Sequence, residues 1–180
     1  MAAGRRSGRA WGWHPLVDEW AARIVADAGI RPGDLVLDIG AGVGALTGHL
    51  LKAGARVVAI ELHPDRARRL RERFAQSPVT VVRADAASLQ WPRRPFRVVA
   101  NPPYGITSAL LGALLAPRSR LVAADLVLQR AVVRRYAVER APGAFRWRRQ
   151  WDVSLGRSVP RRAFRPAPHV DSAVLVVRRR

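Results

Sequence analysis

The sequence contains no cysteine, which excludes a disulfide framework and metal centres held by thiolates. Its four histidines are scattered without the spacing of a metal site, so no metal is predicted. No apolar run approaches the length of a membrane span, and the arginine-rich start lacks the apolar segment of a secretory signal. Together with a length of 180 residues, these absences predict a single-domain, metal-free protein of the cytoplasm.

Lysine and negative charge are also scarce. Lys52 is the only lysine, yet arginine brings the formal net charge to +19. Residues 101–180 carry 16 arginines against four acidic residues, whereas residues 1–100 carry 16 basic residues against nine acidic ones. An excess of cations concentrated in one half predicts a polyanionic partner. Residues 1–10 are expected to form a mobile basic arm ahead of one domain at 11–180.

The most informative motif is Asn101-Pro102-Pro103-Tyr104, which directly follows the apolar run 96–100. An Asn amide, a prolyl carbonyl and an aromatic ring in one rigid turn supply two acceptors and a stacking face. These groups suit a flipped adenine that presents its exocyclic amine. Taken alone, the turn can simply cover the core, because Asn-Pro and Pro-Pro are ordinary turn dipeptides.

A second motif, in residues 35–46, consists of an apolar strand, a turn containing Gly40, Gly42 and Gly44, and the start of an apolar-periodic helix. Such a turn lets the backbone approach a ligand closely and places the ligand at the helix N-terminus. The next predicted strand ends in Glu61, whose carboxylate can accept from both hydroxyls of a ribose. The pattern predicts a βαβ nucleoside site.

The same glycine turn also fits the dinucleotide pattern G-x-G-x-x-A, so the turn alone leaves an NAD-type ligand open. Asp38 favours S-adenosylmethionine, because a carboxylate there opposes a pyrophosphate and suits the amino group of a methionine moiety. The Asn-Pro-Pro-Tyr turn also favours this cofactor. A third predicted strand leads to Asp85, which can accept the adenine amine of the cofactor or cap a helix. The carboxyl ends of these strands are where an open α/β sheet binds ligands.

Hydrophobic periodicity and turn residues predict alternating strands and helices. Helices are predicted at 18–28, 44–52, 64–74, 107–115 and 130–139, and strands at 35–39, 56–60, 79–82, 96–100, 123–129, 151–158 and 172–178. This order predicts a mostly parallel seven-stranded sheet with helices on both faces. The last two strands lack a helical crossover, so they are expected to form an antiparallel hairpin.

On these motifs the sequence resembles the Erm family of ribosomal RNA adenine N6-methyltransferases, which share their core with the KsgA-type small-subunit dimethylases. The resemblance runs from about Arg9 to Val177, and its long block at 160–174 is specific to this superfamily. It implies an α/β, class I, Rossmann-like methyltransferase that uses S-adenosylmethionine. The implied substrate is an adenine of 23S rRNA or of a large-subunit precursor, whose methylation gives resistance to macrolides, lincosamides and streptogramin B. A monomer is expected.

The resemblance also implies a set of site residues. Those expected at the target adenine are Asn101, Pro102, Tyr104 and Phe164, with the Phe164 ring beside the base and opposite the Tyr104 ring. Those expected to bind the cofactor are His14, Asp38, Gly40, Gly42, Gly44, Glu61, Leu62, Asp85, Ala86 and Asn101. His14 lies in a stretch, Trp11 to Pro15, where the family usually carries Gln-Asn-Phe.

Arginine-rich stretches are candidates for contact with RNA phosphates. They comprise Arg134, Arg135 and Arg140 on or just after the last predicted helix; Arg146, Arg148 and Arg149 among Phe145, Trp147 and Trp151; Arg178, Arg179 and Arg180; and Arg161 and Arg162. The stretch with aromatic rings can stack on splayed bases, or it can form a hairpin whose rings face the core. The family normally appends a small helical domain, and the end of this sequence at Arg180 predicts its absence.

Three other functions stay open. The first is a KsgA-like 16S rRNA adenine dimethylase, and the second is a DNA adenine N6-methyltransferase, because these enzymes also use Asn-Pro-Pro-Tyr. The third is a non-catalytic rRNA-binding factor of ribosome assembly. The intact glycines, the acidic residues and Asn101 argue against the third.

Overall fold

The structure is a computed structural model that describes residues 13–139, 147 and 149–180. The predicted basic arm, residues 1–10, lies outside the described residues, as do Arg140, Arg146 and Arg148 of the candidate RNA-binding stretches. Among the residues it does describe, no helix is long and apolar enough to cross a membrane.

Every predicted helix and strand is present, and each begins and ends within two residues of its predicted position. The strands are β1 (Leu35–Ile39), β2 (Arg56–Ile60), β3 (Val79–Val82), β4 (Phe96–Ala100), β5 (Leu121–Gln129), β6 (Trp151–Val159) and β7 (Ser172–Arg179). The helices are α1 (Asp18–Ala28), α2 (Ala45–Lys52), α3 (Pro64–Arg73), α4 (Thr107–Leu114) and α5 (Arg130–Ala137).

The seven strands form one sheet in the order β3-β2-β1-β4-β5-β7-β6. Strands β1 to β5 are parallel, whereas β7 runs antiparallel to β5 and to β6. The β6–β7 pair is the expected hairpin, although one turn of 3-10 helix, Arg161–Ala163, lies in its connection and was not predicted. The predicted fold class is confirmed.

Helices cover both faces of the sheet because the central strands are apolar on both sides. All five residues of β1 are buried. Its alternate residues face opposite layers: Leu37 and Ile39 pack in the cluster that contains α4, whereas Val36 packs in the cluster that contains α1 and α2. The same alternation directs Asp38 toward α2.

The carboxyl ends of the parallel strands meet at one edge, which we call the carboxyl edge. The order of the strands reverses between β1 and β4, and a crevice for a ligand forms at such a point in an open α/β sheet. Because β7 is antiparallel to β5, Ser172 at its beginning pairs with Gln129 at this edge. The residues after β4, the start of α5 and the segment between β6 and β7 therefore all lie here.

The arginines at the end of the chain lie at the opposite edge, the amino edge, where β7 ends. Arg178 forms an ion pair with Asp125 at 2.9 Å, and the guanidinium of Arg179 lies 4.5 Å from the ring centroid of Trp151. Arg180 also forms an ion pair. These contacts stabilise the end of the sheet, and the stretch lies away from the predicted catalytic turn, Asn101-Pro102-Pro103-Tyr104.

The described rings of the aromatic stretch face the core. Trp151 is fully buried, and the Trp147 ring packs against that of Tyr136 with 5.6 Å between centroids. The rings of Trp147 and Trp151 therefore face the core, as the alternative interpretation predicted; most of the stretch that would form the hairpin lies outside the described residues. Arg149 is exposed just before β6, at the amino edge. A strand of nine residues spans about 30 Å, so Arg149 lies far from the Asn-Pro-Pro-Tyr turn, and its contact with RNA phosphates stays a prediction.

Candidate active site

One pocket at the carboxyl edge, between β1 and β4, brings together most of the residues predicted to contact the cofactor or the target adenine. It is lined by His14, Asp38, Gly40, Gly42, Glu61, Leu62, Asp85, Ala86, Asn101 and Pro102. These residues follow four different strands or precede α1, so the parallel sheet is what gathers them. Gly44, Tyr104 and Phe164 are not among the residues that line the pocket.

The glycine turn and the Asn-Pro-Pro-Tyr turn are in direct contact. Gly40 has a φ of +74°, and a Cβ on it would lie 3.1 Å from Pro103 Cδ and 3.3 Å from the Cα of Pro102. A side chain at position 40 would therefore push the two turns apart. Glycine here allows both the left-handed backbone and the close approach of the two motifs.

Gly44 has a packing role where contact with the cofactor was predicted. Its φ is +91°, and a Cβ at this position would clash with the Phe74 ring and lie 2.9 Å from Leu70 Cδ1. Leu70 belongs to α3 and Phe74 directly follows that helix. The third glycine of the motif therefore lets the start of α2 approach α3, and it does not face the pocket.

Asp38 is a buried carboxyl group at the end of β1, with 1% of its surface exposed. The hydroxyl of Thr47, in the first turn of α2, donates a hydrogen bond of 2.6 Å to Asp38 Oδ2. Burial raises the pKa of Asp38 to about 7, and the negative charge of Glu61 adds to this increase. A cationic group bound in the pocket would stabilise the ionised form of Asp38.

Glu61, at the end of β2, is also buried and accepts three hydrogen bonds. Its Oε2 accepts from the backbone N–H of Gly42 at 2.8 Å. Its Oε1 accepts from the backbone N–H of His63 at 2.8 Å and from Arg66 Nη2 at 3.0 Å. A carboxylate offers about four acceptor positions, so about one remains on Oε2 for a ligand.

Arg66 and Trp13 line the pocket, but they were not predicted as site residues. The Arg66 guanidinium lies 5.2 Å from the Trp13 ring centroid, and Trp13 Nε1 would be 2.9 Å from a Cβ on Gly42. Arg66 belongs to the first turn of α3, five residues after Glu61, which is the only signal that its side chain could reach back to that carboxylate. No sequence pattern indicates that Trp13 reaches the glycine turn.

The predicted catalytic turn, Asn101-Pro102-Pro103-Tyr104, is held in place by contacts from distant parts of the chain. Asn101 Nδ2 donates to the backbone carbonyl of His14 at 2.9 Å. The Tyr104 hydroxyl lies 2.7 Å from Ser172 Oγ, and burial raises the pKa of the phenol. The Tyr104 ring is half-buried and stacks on the His14 ring with 6.3 Å between centroids. The turn is thus held by the segment before α1 and by the start of β7.

Phe164 does not lie beside the pocket in this structure. Its ring is 2% exposed and packs in the cluster of buried residues that contains α1 and α2, and its backbone pairs with Leu16. A ring with no exposed face cannot stack on a base, so the predicted position of Phe164 opposite Tyr104 is not observed in this conformation.

Asp85 caps a one-turn 3-10 helix, Ala86–Ser88, because its Oδ1 accepts from the Ala87 backbone N–H at 2.9 Å. This confirms the helix-cap alternative. Asp85 also lines the pocket, so hydrogen bonding to an adenine amine stays a prediction.

The predicted RNA-binding arginines divide between the two edges. Arg161 and Arg162 are exposed after β6, at the carboxyl edge, and Arg161 Nε donates to the carbonyl of Pro168 at 2.8 Å. Arg134 and Arg135 are exposed on α5, and Arg134 approaches a glutamate at 3.7 Å. Only the first pair directly follows a strand end at the edge that carries the catalytic turn.

Known proteins resemble this chain over most of its length. A profile of the family described as Ribosomal RNA adenine dimethylase matches residues 12–180. An rRNA methyltransferase of Streptomyces thermotolerans is 41% identical over 97% of this chain and 60% of its own length. A ribosomal RNA small subunit methyltransferase A of Anaeromyxobacter sp. (strain K) is 39% identical over 94% of this chain and 66% of its own length. The crystal structure of 23S rRNA methyltransferase ErmE matches with a TM-score of 0.84 and 34% identity, over 92% of this chain and 69% of that one.

This chain therefore spans less than two thirds of the length of either relative. The family and the structural neighbours are S-adenosylmethionine-dependent methyltransferases, which agrees with the predicted cofactor. The match confirms the resemblance at the level that Erm and KsgA-type enzymes share. The extent of the match and the identities above show that the chain belongs to the ribosomal RNA adenine dimethylase family.

Proposed function

We propose that this protein transfers a methyl group from S-adenosylmethionine to N6 of an adenine in 23S rRNA. The observation that carries the proposal is the close packing of Gly40 against Pro102 and Pro103. This contact puts a turn suited to an adenine amine beside a turn suited to a nucleoside cofactor. The family match supports the reaction class, and the similarity to the 23S rRNA methyltransferase ErmE supports the choice of RNA.

The pocket residues fit S-adenosylmethionine, which supplies an activated methyl group when bound. The buried carboxyl group of Asp38 suits the amino group of the methionine moiety. The remaining acceptor position on Glu61 suits a ribose hydroxyl, and Leu62 and Ala86 offer apolar contact to an adenine ring. Asp85 retains one carboxylate oxygen for the amine of that adenine.

The catalytic turn would act by orienting the target amine. Adenine N6 is a poor nucleophile because its lone pair is delocalised into the ring. Hydrogen bonds from its N–H groups to Asn101 Oδ1 and to the Pro102 carbonyl favour a pyramidal nitrogen, whose lone pair then points at the methyl group. Asn101 Nδ2 is engaged by the His14 carbonyl, so Oδ1 is the atom left for the base. In this step the bond from N6 to the methyl carbon would form as the carbon–sulfur bond breaks, and S-adenosylhomocysteine would leave. The methylated amine would lose its extra proton to solvent, so no acidic or basic side chain is needed.

A tritium-transfer assay tests the proposal. Labelled S-adenosylmethionine is incubated with equal molar amounts of unmodified 23S rRNA, 16S rRNA and duplex DNA in separate reactions. We expect label in 23S rRNA at least ~10-fold above the other two, the range that one good discriminating contact provides. Preferential labelling of 16S rRNA would instead support the KsgA-like function, which the relative from Anaeromyxobacter favours. Labelling of DNA alone would contradict both.

The proposal includes resistance to macrolides, lincosamides and streptogramin B. Expression of the wild-type chain in a sensitive bacterium should raise the inhibitory concentration of all three drug classes. The Asn101→Ala variant at equal expression is the control and should leave the host sensitive. Sensitivity to all three drugs despite methylated 23S rRNA would contradict this part of the proposal.

The geometry suggests which arginines contact RNA phosphates beside the target base. Arg130, Arg162 and Arg165 are exposed, and no ion pair to them is found among the described parts of the chain. The backbone N–H of Arg130 donates to Asp171, next to the residue that contacts Tyr104. These arginines lie at the same edge of the sheet as the catalytic turn, which supports contact with the RNA backbone on both sides of a flipped adenine.

Changing these three arginines to glutamine should weaken the salt dependence of RNA binding. Each lost phosphate contact removes about 0.7 to 0.9 from the slope of log K against log salt, so the slope should flatten by roughly two to three. The matched control changes Arg118, Arg120 and Arg149, three exposed arginines at the amino edge, to glutamine. Filter binding at salt concentrations from 50 to 300 mM, a roughly sixfold range, measures this slope for both triple variants. Equal flattening in both triple variants would contradict an RNA site at the carboxyl edge.

Cofactor affinity is expected to fall about tenfold from pH 8 to pH 6, since the pKa of Asp38 is about 7 without ligand. A bound ammonium group favours the ionised carboxylate, which dominates above pH 7 and is lost below it. Calorimetry with S-adenosylhomocysteine in two buffers of different ionisation enthalpy should show release of about one proton per ligand at pH 6. Asp38→Asn should bind more weakly and without this pH dependence. The same dependence in Asp38→Asn would assign the titration to a group other than Asp38.

A further inference from the structure

His14 contacts the catalytic turn at two places, although the sequence indicates only a cofactor contact for it. Its backbone carbonyl accepts from Asn101 Nδ2 at 2.9 Å. Its ring stacks on the Tyr104 ring, with 6.3 Å between centroids and 23° between planes. Both residues that would receive the target adenine therefore touch the same residue.

The position of His14 is fixed by a third contact. Its Nδ1 lies 2.9 Å from the backbone carbonyl of Pro166, to which it donates a hydrogen bond. The neighbouring carbonyl of Pro15 accepts from the backbone N–H of Arg165 at 3.0 Å. The segment before α1 is thus attached to the connection between β6 and β7, and the His14 ring forms one of the attachments.

These contacts define the orientation of the groups that face the base. With Nδ2 directed at the His14 carbonyl, rotation of the Asn101 amide by 180° would place two oxygens about 3 Å apart, which is repulsive. The His14 ring covers one face of Tyr104 while Ser172 holds the phenol hydroxyl, so the ring can rotate little. His14 thereby keeps Asn101 Oδ1 and the opposite face of Tyr104 available.

We propose that His14 is a positioning residue for methyl transfer, which acts by orienting the Asn101 amide and the Tyr104 ring rather than by binding the cofactor. The proposal rests on the proposed function, because the groups it orients are those that would hold the target adenine. It assigns His14 an effect on the transfer rate and none on cofactor affinity.

Kinetics separate this role from cofactor binding. His14→Ala should lower the single-turnover rate constant about tenfold at saturating cofactor, with the dissociation constant of S-adenosylhomocysteine changed less than about twofold. His14→Asn should regain most of the rate, because Asn Nδ2 is as many bonds from Cβ as His Nδ1 and can donate to Pro166. His49→Ala is the control: His49 pairs with Asp18 at the start of α1, does not line the pocket, and its replacement should leave both quantities unchanged.

A second readout does not require activity. Asn101 is the only asparagine of the chain, so selective ¹⁵N-asparagine labelling gives one side-chain amide group in NMR spectra, seen as one pair of hydrogen signals on one nitrogen. In the wild-type protein one of its two hydrogens should be shifted downfield and should exchange slowly with water, because it is hydrogen-bonded to His14. His14→Ala keeps the backbone carbonyl but removes the ring contacts with Pro166 and Tyr104 that hold this carbonyl in position, so the hydrogen should move part of the way toward the position of a free amide. His49→Ala should not move it.

The outcomes are distinguishable. A wild-type rate in His14→Ala, a parallel loss of cofactor affinity, or an unchanged Asn101 amide signal would overturn the positioning role. A His14→Asn variant as slow as His14→Ala would overturn the attachment through Pro166. A wild-type protein that shows the bonded amide signal but methylates no rRNA would contradict the proposed function and leave the structural effect of His14 in place.

Discussion

Replacing Asn101 by alanine is expected to lower the rate constant of methyl transfer by at least ~10²-fold, with cofactor affinity near that of the wild type. The side chain is short, and its amide is fixed by the His14 carbonyl with Oδ1 left for the target amine. Its hydrogen bond to N6 strengthens as the nitrogen becomes pyramidal, so its loss affects the transition state most. Single-turnover rates and calorimetric titration with S-adenosylhomocysteine measure the two quantities separately.

Gln129→Ala provides the matched control for Asn101→Ala. Gln129 is a half-buried amide at the end of the neighbouring strand β5, and it does not line the pocket. Its removal should leave the transfer rate within about twofold of the wild type. Near-normal turnover in Asn101→Ala would contradict the proposed mechanism, and an equal loss in both variants would indicate a general effect of altering this edge.

Glu61→Ala is expected to weaken cofactor binding by ~1–3 kcal/mol through loss of charge-assisted contacts to the ribose. The structure adds a second effect that the sequence does not indicate. Glu61→Ala would remove the ion pair with Arg66 and the hydrogen bonds that Glu61 accepts from the backbone N–H groups of Gly42 and His63. Loss of such bonds at a buried group costs about 1–3 kcal/mol of folding free energy. The variant should therefore be both less stable and a weaker binder.

Binding and folding effects at Glu61 can be separated. Glu61→Gln keeps the size of the side chain and one acceptor oxygen, so it should be more stable than Glu61→Ala but still bind the cofactor weakly. Chemical denaturation gives the free energy of unfolding, and calorimetry at a temperature where both variants are folded gives the affinity. Glu72→Ala removes an exposed ion pair with Arg68 and should change either quantity by less than about 0.5 kcal/mol. Wild-type affinity in folded Glu61→Gln and Glu61→Ala would mean that the nucleoside site is elsewhere.

The fold is predictable from the sequence because local and tertiary signals agree. The strands that are buried on both faces, such as β1, are short apolar runs bounded by glycine, proline or charged residues. The alternation of these runs with helical periods allows few topologies other than a parallel sheet. Strand ends then meet at one edge, which is why Asp38, Glu61, Asp85 and Asn101 could be expected around one pocket.

The parts of the site that could not be predicted depend on side chains that meet only after folding. Trp13 reaches the glycine turn, and Arg66 reaches Glu61, across distances that no sequence period encodes. Two predicted site residues lie away from the pocket for the same reason. Gly44 belongs to the glycine motif but faces α3, and Phe164 belongs to the specific block but packs in the core.

Charge counted along the sequence likewise does not reveal the edge of the sheet to which an arginine belongs. Because β7 is antiparallel, the chain returns to the amino edge in its last residues, and Arg178 is used there to pair with the buried Asp125. The arginines at the same edge as the catalytic turn lie where β5 and β6 end. Their position follows from strand direction, which is why the topology changes the predicted RNA-binding surface.

Transfer of a trideuterated methyl group shows directly whether this protein methylates N6 of adenine in 23S rRNA. Unmodified 23S rRNA is incubated with the protein and S-adenosylmethionine carrying a CD₃ group, then digested to nucleosides and analysed by mass spectrometry against synthetic standards. We expect N6-(CD₃)-adenosine, with or without the dimethylated form, in the wild-type reaction and its near absence with Asn101→Ala. Deuterated methyl on another base, on a carbon or another nitrogen of adenine, or on no nucleoside of any RNA offered would contradict methylation of adenine N6 by this protein.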